Sequence, residues 1–299
     1  MARKHFILKG LGALCVVILV VFVGVFFYAY LTGGDAKAIA LFAGDGIGVL
    51  QIEGAIDDSR AVVSELKRFK EESWIKAVVV RIDSPGGAVA PTQEIFEEIQ
   101  KTKRKKPLIA SMGGMATSGG YYIASACDKI IANPGTLTGS IGVIMQLGDV
   151  GELMKKIGVR GYNIKSGVNK DIGSPFQPLS PQGRAILQSV VDNVHSQFVT
   201  AVAKGRKLDE AQVRKLADGR VYSGAQAKEL GLVDEFGTLE DAIDNAARRV
   251  GLAANPAVYY SRPEQERWWE KMFFGLLGRR LPSAERGWLR YEWSPASLQ

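Results

Sequence analysis

Residues 76–87 read KAVVVRIDSPGG, a nearly continuous run of apolar, mostly β-branched residues that ends in a Pro-Gly-Gly turn. Such a run is typical of a strand that is buried on both faces, as the strands of parallel sheets are. A second stretch, LIASMGGMATSGGYY at residues 108–122, predicts another buried strand, then a glycine-flanked turn and a short helix. Strand and helix signals alternate on both sides of these stretches. This alternation predicts an α/β domain built from βαβ units around a mostly parallel sheet.

The other elements are predicted from hydrophobic periodicity and helix caps. Ser180 and Pro181 form an N-cap and first-turn pair that predicts a long amphipathic helix. Residues 84–87 are interpreted as a turn at the end of a strand. Further strands are expected at 48–54, 129–132 and 141–145, and further helices at 58–70, 149–157, 208–217, 224–230 and 241–250.

The N-terminal part of the chain predicts one transmembrane helix. No charged residue occurs from Leu11 to Leu31, and as a helix this stretch would span about 30 Å, the thickness of a bilayer core. Arg3, Lys4 and Lys9 precede it, so the positive-inside rule predicts a cytoplasmic N-terminus. The stretch is longer than the apolar region of a signal peptide and lacks a clear cleavage site, which favours a retained anchor over a cleaved signal peptide.

Three regions are therefore expected. Residues 1–34 would form the cytoplasmic N-terminus and the anchor, residues 35–255 an extracytoplasmic domain, and residues 256–299 a tail. The tail carries Trp, Met, Phe and Leu side chains at helical spacing between 268 and 277. An amphipathic helix on the membrane surface, a segment that docks on the chain itself, a partner site and a disordered end all remain open for it.

Composition excludes several classes of protein. Two cysteines, Cys15 and Cys127, are too few for a disulfide scaffold or a cysteine-based zinc site. No cluster of His, Cys and carboxylates has metal-ligand spacing, and no phosphate-binding or dinucleotide motif is present, so no cofactor is expected. The net charge of +7 includes three charges before the anchor, and the basic run at 101–106 suits a helix end. We therefore expect no nucleic-acid partner.

Ser118 is the candidate nucleophile. It follows a buried strand, opens a helix and precedes two glycines, which places its side chain at the carboxyl edge of the sheet, where α/β proteins bind ligands. The N–H of Gly119 would point into the same site and could hold an oxyanion. A plain helix N-cap is an equally good interpretation of this serine when the segment is considered alone.

The base that would activate this serine is not an obvious histidine. The chain contains only His5, which precedes the anchor, and His195, which is more simply explained as a helix-face residue beside the core. Lys170 in the loop SGVNKDIGSP, residues 166–175, could serve if burial lowered its pKa toward neutrality. Asp171 beside it would favour the charged ammonium unless its carboxylate points away.

Several motifs occur together and in order, and together they resemble the signal peptide peptidase A family of membrane-anchored serine proteases. The resemblance covers roughly residues 45–250, in the single-unit form of the family. The motifs are RIDSPGG at 81–87, SMGGMATSGGYY at 111–122, LTGSIGVI at 137–144, SGVNKDIGSP at 166–175, DGRVYSG at 218–224 and AKELGLVDE at 227–235.

The resemblance implies a ClpP/crotonase-like fold and a serine–lysine dyad. Ser118 matches the nucleophile of the family and Lys170 its general base, while Ser140 matches a hydroxyl that orients the lysine amine. Gly119 and Gly87 match the backbone donors of the oxyanion hole. The sequence does not separate Gly87 from its neighbour Gly86 in that role.

The resemblance also implies partners and a location. The family cleaves signal peptides and other apolar peptides left in or near the cytoplasmic membrane, and its short members form homo-oligomeric rings in which neighbouring subunits share a site. A crotonase-like acyl-CoA enzyme and a non-enzymatic membrane scaffold are the alternative functions. The anchor argues against the first, and the presence of Ser118, Lys170 and Ser140 argues against the second.

Overall fold

Eleven strands are present in the part of the chain that the computed structural model describes, which is residues 19–20, 23–24, 44–261 and 289–292. The chain divides into two compact units, Met1–Asp45 and Gly46–Gln299, and the strands belong to the second. The strands are β1 (Gly46–Glu53), β2 (Ile75–Ser84), β3 (Gly86–Ala88), β4 (Leu108–Thr117), β5 (Lys129–Ala132), β6 (Leu137–Gly139), β7 (Ile144–Met145), β8 (Val221–Ser223), β9 (Glu235–Phe236), β10 (Ala257–Tyr260) and β11 (Leu289–Glu292).

Eight of these strands form the main sheet, and six of them lie in the order β10–β1–β2–β4–β5–β9. Every pair along this path is parallel. Strand β4 pairs with β5 through its first half and with β6 through its second half, again in parallel, and β8 adds to β6 as an antiparallel strand. The prediction of an α/β domain with a mostly parallel sheet is confirmed.

Helices cover both faces of the sheet. They are α1 (Arg60–Glu71), α2 (Val89–Lys103), α3 (Gly119–Ser125), α4 (Gly151–Lys156), α5 (Pro181–Arg206), α6 (Glu210–Leu216), α7 (Gly224–Glu229) and α8 (Leu239–Arg249). The predicted cap of the long helix is present, because the Ser180 hydroxyl accepts a hydrogen bond of 3.0 Å from the Gly183 N–H.

Strand β2 contributes to a different core on each of its faces. Val78 and Val80 pack in the core that holds buried residues of α1, α2, α3 and α5, whereas Ala77 and Val79 pack in the core that holds α8. All four side chains are fully buried. Since burial of a valine side chain contributes about 1.5–3 kcal/mol, the two-sided burial of β2 stabilises both layers of helices on the sheet.

Two sequence predictions near the carboxyl edge of the sheet were wrong in detail. The expected turn at 113–117 is a continuation of β4, because β6 pairs with Met115, Ala116 and Thr117. The expected strand at 141–145 is reduced to β7, because only Ile144 and Met145 of this stretch pair with another strand, β11.

A third prediction concerned residues 84–87. They hold more than a turn, since Gly86 and Gly87 begin the short strand β3. Ile56 lies along one edge of β3, and β11 lies along the other.

The predicted transmembrane helix at 11–31 lies outside the described residues, apart from Leu19, Val20, Val23 and Gly24, which are helical. Among the residues that the structure describes, no helix has the length and hydropathy needed to cross a membrane. The tail segment between 268 and 277 also lies outside the described residues.

A partly buried ion pair links the end of α5 to the sheet. The Arg206 guanidinium, which is 7% exposed, contacts the Asp234 carboxylate at 2.6 Å. The same carboxylate accepts the Ile130 N–H of β5 at 2.7 Å. Burial alone would raise the pKa of Asp234, but the hydrogen bonds from Arg206 and Ile130 outweigh it and hold this pKa below its usual value.

We expect Asp234→Asn to lower the free energy of unfolding by about 2 kcal/mol at pH 7, because the buried Arg206 charge would lose its counter-ion. The loss is no larger because Asp234 is partly exposed and solvent weakens its interaction with Arg206. A carboxylate with a lowered pKa stabilises the fold above about pH 4 and loses this effect as the pH falls through the lowered value. The difference from wild type should therefore shrink at pH 3.

Urea unfolding in detergent at pH 7 and pH 3 checks this prediction. Asp244→Asn is the control, since Asp244 lies on the exposed side of α8 and should change stability by less than about 0.5 kcal/mol. Equal stabilities of wild type and Asp234→Asn at pH 7 would contradict it.

Candidate active site

Ser118 occupies a strained turn between β4 and α3. Its backbone has φ +52° and ψ −114°, and the residue is 1% exposed. Such a backbone costs a serine about 1–3 kcal/mol and persists only where the surrounding structure enforces it. A strained turn from strand to helix is also how other hydrolase folds present a nucleophile.

The side chain of Ser118 does not cap the helix that follows it. No hydrogen bond runs from the backbone of α3 to its hydroxyl, although the residue stands at the N-cap position. The plain N-cap interpretation therefore fails for this serine. Within the described residues its hydroxyl has no hydrogen-bond partner, which leaves the oxygen available to a base or a substrate.

Ser140 lies beside Ser118 because two parallel strands end together. Thr117, the last residue of β4, is paired with Gly139, the last residue of β6, and each serine directly follows one of them. The Ser118 N–H donates to the Gly139 carbonyl at 2.8 Å, and the Ser140 N–H donates to the Arg220 carbonyl at 2.8 Å. Ser140 is 6% exposed and also has a positive φ. The structure thus brings together these two predicted site residues.

The turn that carries Gly86 and Gly87 is held by Ser84, a residue that the sequence analysis did not single out for this role. The buried Ser84 hydroxyl donates to the Gly54 carbonyl at 2.6 Å and accepts the Gly86 N–H at 3.1 Å. Because the Gly86 amide is already bound, Gly87 is the better candidate for an oxyanion donor. The short spacing Ser-x-Gly after a buried strand was the only signal for this contact.

Gly87 also tolerates no side chain. A Cβ on it would lie 2.3 Å from the Ile56 carbonyl oxygen, because Ile56 bonds to both neighbours of Gly87. The Ile56 N–H donates to the Gly86 carbonyl at 2.9 Å, and the Ala88 N–H donates to the Ile56 carbonyl at 2.8 Å. Gly119, the other predicted donor, is the first residue of α3, where a backbone N–H has no acceptor within its own helix.

Lys170 does not meet Ser118 within one chain. It lies in an exposed turn and lines an open depression with Tyr162, Ile164 and Asp171, and neither serine lines this depression. Within the described ranges its ammonium has no hydrogen bond or ion pair. The burial that the sequence analysis expected around this lysine is absent from the single chain.

The Asp171 carboxylate pairs with a lysine other than Lys170. Lys165 donates to it at 2.6 Å, and this hydrogen bond lowers the pKa of Asp171. The Asp171 carboxylate is therefore paired with Lys165 and not with Lys170.

The segment around Lys170 exposes an unusual amount of apolar surface. More than half of each side chain is accessible for seven large apolar residues in this part of the chain: Ile144, Leu153, Ile157, Tyr162, Ile164, Val168 and Phe176. Large apolar residues exposed in this number make the segment a candidate interaction site.

His195, the only histidine after the predicted anchor, lies on α5 in the middle of the helix. Its Nε2 is buried, and no hydrogen-bond partner for it is found in the described part of the chain. The same is true of the Thr117 hydroxyl next to Ser118. No group of three or more His, Cys, Asp or Glu residues that could hold a metal ion occurs in residues 44–261.

A strained serine beside backbone N–H donors, at the carboxyl edge of a parallel sheet, is the arrangement expected of an enzyme that uses a nucleophilic serine. Comparison with known proteins identifies the family of the chain. The family model Peptidase family S49 matches residues 100–253, and the model Clp protease matches residues 47–137. The chain belongs to peptidase family S49 and is a serine protease of the signal peptide peptidase A type.

Relatives from three organisms agree with this assignment. A Synechocystis protein named "Putative protease" is 45% identical over 205 residues, which are 68% of this chain and 74% of the relative. An Enterococcus faecium protein named "Putative signal peptide peptidase SppA" is 39% identical over 199 residues, 66% of this chain and 58% of the relative. Protease 4 of Haemophilus influenzae is 35% identical over 222 residues, 71% of this chain and 36% of that longer protein.

The strain at Ser118 makes a stability prediction. Ser118→Gly should raise the free energy of unfolding by about 1 kcal/mol, because glycine adopts this backbone without strain, and this gain exceeds the entropy that glycine loses on folding. Thermal unfolding of the full chain in detergent measures the effect.

Ser189→Gly is the matched control, since Ser189 is exposed in the interior of α5 and glycine there should destabilise by about 0.5–1 kcal/mol. A loss of stability at both positions would show that Ser118 is not strained.

Proposed function

We propose that the chain is a membrane-bound serine endopeptidase that degrades signal peptides and other apolar peptides through a dyad of Ser118 and Lys170. The observation that carries this proposal is the Ser118 turn, in which a strained backbone presents an unpartnered hydroxyl next to backbone amide donors. Membership of a peptidase family favours peptides over acyl-CoA thioesters as the substrate class.

The chemistry follows from the roles that each group can play. The neutral Lys170 amine takes the Ser118 proton as the serine oxygen attacks the peptide carbonyl carbon, and the N–H groups of Gly119 and Gly87 stabilise the oxyanion. Lys170 then gives its proton to the departing amine, which leaves an ester on Ser118. In the second half, Lys170 removes a proton from water, the water attacks the ester, and Ser118 regains its proton. Ser140 would orient the lysine amine throughout.

The dyad is assembled between copies of the chain in this proposal. Lys170 is exposed in one chain and lies in a segment that exposes large apolar side chains, so contact with a neighbouring copy would cover this surface. The same contact would remove water from the Lys170 ammonium, which favours the neutral amine. A head-to-tail contact of this kind closes into a homo-oligomeric ring when the rotation permits.

The membrane part of the proposal rests on the sequence. The uncharged stretch at 11–31 has the length of a membrane span, and the basic residues before it favour a cytoplasmic N-terminus with the catalytic domain outside. A protease tethered in this way meets peptides that start in the lipid, which supports apolar signal peptides as substrates.

Hydrolysis of an apolar fluorogenic peptide tests the dyad. Wild type should cleave it, while Ser118→Ala and Lys170→Ala should each lose at least about 1,000-fold in kcat/KM, because a nucleophile and its base act as a unit. Both variants must show the oligomeric state of wild type in detergent. Activity that persists in Ser118→Ala would overturn the proposal.

Mixing the two inactive variants tests where the dyad forms. If neighbouring chains share a site, a randomly mixed ring pairs an intact Ser118 with an intact Lys170 at about a quarter of its interfaces. We therefore expect about a quarter of wild-type activity after unfolding and refolding the variants together. A dyad within one chain would give none.

The Lys165 contact predicts a change in the pH dependence of hydrolysis. Lys165→Met frees the Asp171 carboxylate, which can then pair with Lys170 and favour its ammonium form. Activity should consequently need a higher pH, with the rising limb of log kcat/KM displaced by about 0.5–1 unit. Profiles between pH 6 and pH 10 measure this displacement.

The double variant Lys165→Met/Asp171→Asn should return the profile to that of wild type, and Lys165→Arg should leave it unchanged because arginine keeps the ion pair. A displacement that survives in the double variant would contradict the role given to Asp171.

A further inference from the structure

Strand β4 contains a β-bulge shortly before the turn that carries Ser118. Where β2 advances by the single residue Asp83, β4 advances by three, residues 113–115. Strand β4 also exchanges one neighbour for another here, because it pairs with β5 up to Ser111 and with β6 from Met115 onward. Bulges are common beside active sites, where they redirect the strand and the side chains that follow.

Asp83 holds the bulge from the side of β2. Its carboxylate accepts the Met115 N–H at 3.1 Å and the Gly114 N–H at 3.4 Å. Gly113 permits this approach, since a Cβ there would lie 2.6 Å from a carboxylate oxygen of Asp83. One side chain therefore binds two consecutive backbone donors of the bulge.

Thr136 holds the bulge from the side of β6, the strand that it directly precedes. This residue is 2% exposed, and its hydroxyl donates to the Gly113 carbonyl at 2.8 Å and accepts the Asn133 N–H at 3.2 Å. The Thr136 N–H donates to the Asn133 carbonyl at 3.0 Å, which fixes the hydroxyl in a tight turn. Side chains from two separate segments thus bind the backbone of all three residues of the bulge.

The bulge and the strained turn are close together along the chain. Only Ala116 and Thr117 separate the bulge from Ser118, and both are fully buried and paired with β6. A shift of the bulge along β4 would therefore be carried directly into the position of the Ser118 hydroxyl. Strain at such a residue persists only where the neighbouring backbone cannot relax, and a catalytic group must lie within about 0.5 Å of its productive position.

We propose that Asp83 and Thr136 are positioning residues that act through the bulge. They hold residues 113–115 in place and so keep Ser118 in the strained backbone that presents its hydroxyl. This inference rests on the proposed role of Ser118 as the nucleophile, and it adds two residues that support that role without touching the substrate. Loss of either contact should slow the chemistry and leave substrate binding unchanged.

Hydrolysis of the apolar fluorogenic peptide by the full chain in detergent tests both residues. Thr136→Val keeps the shape of the side chain and removes the hydroxyl. It should lower kcat by about 10- to 100-fold, because displacement of a reacting group by about 1 Å has an effect of this size. Asp83→Ala should lower kcat by about three- to tenfold, since Asp83 is exposed and water can replace part of its contact. KM should change by less than about twofold in both variants.

Conservative variants and a matched control distinguish positioning from a general loss of stability. Thr136→Ser keeps the hydroxyl and Asp83→Asn keeps one acceptor oxygen, so each should recover most of the lost kcat. Asp234→Asn weakens the fold at its Arg206 contact instead and should leave kcat and KM unchanged at a temperature where it is folded. A wild-type kcat in both Thr136→Val and Asp83→Ala would overturn the proposal, as would an equal loss of kcat in Asp234→Asn.

Strain measured without catalysis separates this inference from the proposed function. Ser118→Gly should raise the Tm of the otherwise unchanged chain by about 2–4 °C, because glycine releases the strain. In the background Asp83→Ala/Thr136→Val the turn can relax, so the same substitution should raise the Tm by less than about 1 °C. In the Asp234→Asn background the full rise should remain.

The activity and the Tm can fail separately. Loss of the Tm rise in the Asp83→Ala/Thr136→Val background, in a chain that hydrolyses no peptide, would retain the hold of the bulge on Ser118 and remove the protease. Hydrolysis that depends on Ser118, with the same rise of the Tm in every background, would retain the protease and overturn the role given to Asp83 and Thr136.

Discussion

The hydrogen bond from the Ser118 amide to the Gly139 carbonyl, 2.8 Å long, is the constraint on which the candidate site depends. It continues the pairing of β4 with β6 by one residue beyond the last pair, and it holds Ser118 at the positive φ that a serine avoids. The strand below supplies the rigidity, since β4 is paired on both sides and fully buried over most of its length. Strain at Ser118 is possible because the strand pairing on both sides of β4 opposes its relaxation.

The parts of this arrangement that depend on local sequence could be predicted. The β-branched run of β2 indicated a strand buried on both faces, and each face does meet its own core. Ser118 was predicted as a candidate nucleophile from an equally local signal, a serine that follows a buried strand and precedes two glycines, while the competing interpretation as a helix N-cap needed the structure to be rejected. The cap formed by Ser180 was equally local, since its acceptor and donor are three residues apart.

The parts that depend on distant contacts could not be predicted from periodicity. Strand β4 continues past Gly113 and Gly114 because β6 pairs with it and because Asp83 accepts the Met115 N–H at 3.1 Å. Lys165 reaches Asp171 across an irregular loop whose spacing follows no helical or strand period. The position of Lys170 is a different case, because in the proposed ring its surroundings belong to a second copy. In that ring, one chain alone would supply only part of the environment of Lys170.

The contacts that hold the turn at Gly86 and Gly87 also limit the substrate specificity that the candidate site can have. Gly87 must lack a side chain because the Ile56 carbonyl oxygen occupies the space of a Cβ, and Gly86 is bound by Ser84. Strand β3 therefore offers mainly backbone groups, which distinguish poorly between extended sequences. Recognition by the main chain is permissive, so a protease of this design needs its restraint from elsewhere. In the proposed ring, completion of the dyad by a neighbouring copy would provide that restraint, because the site would be active only in the assembled ring.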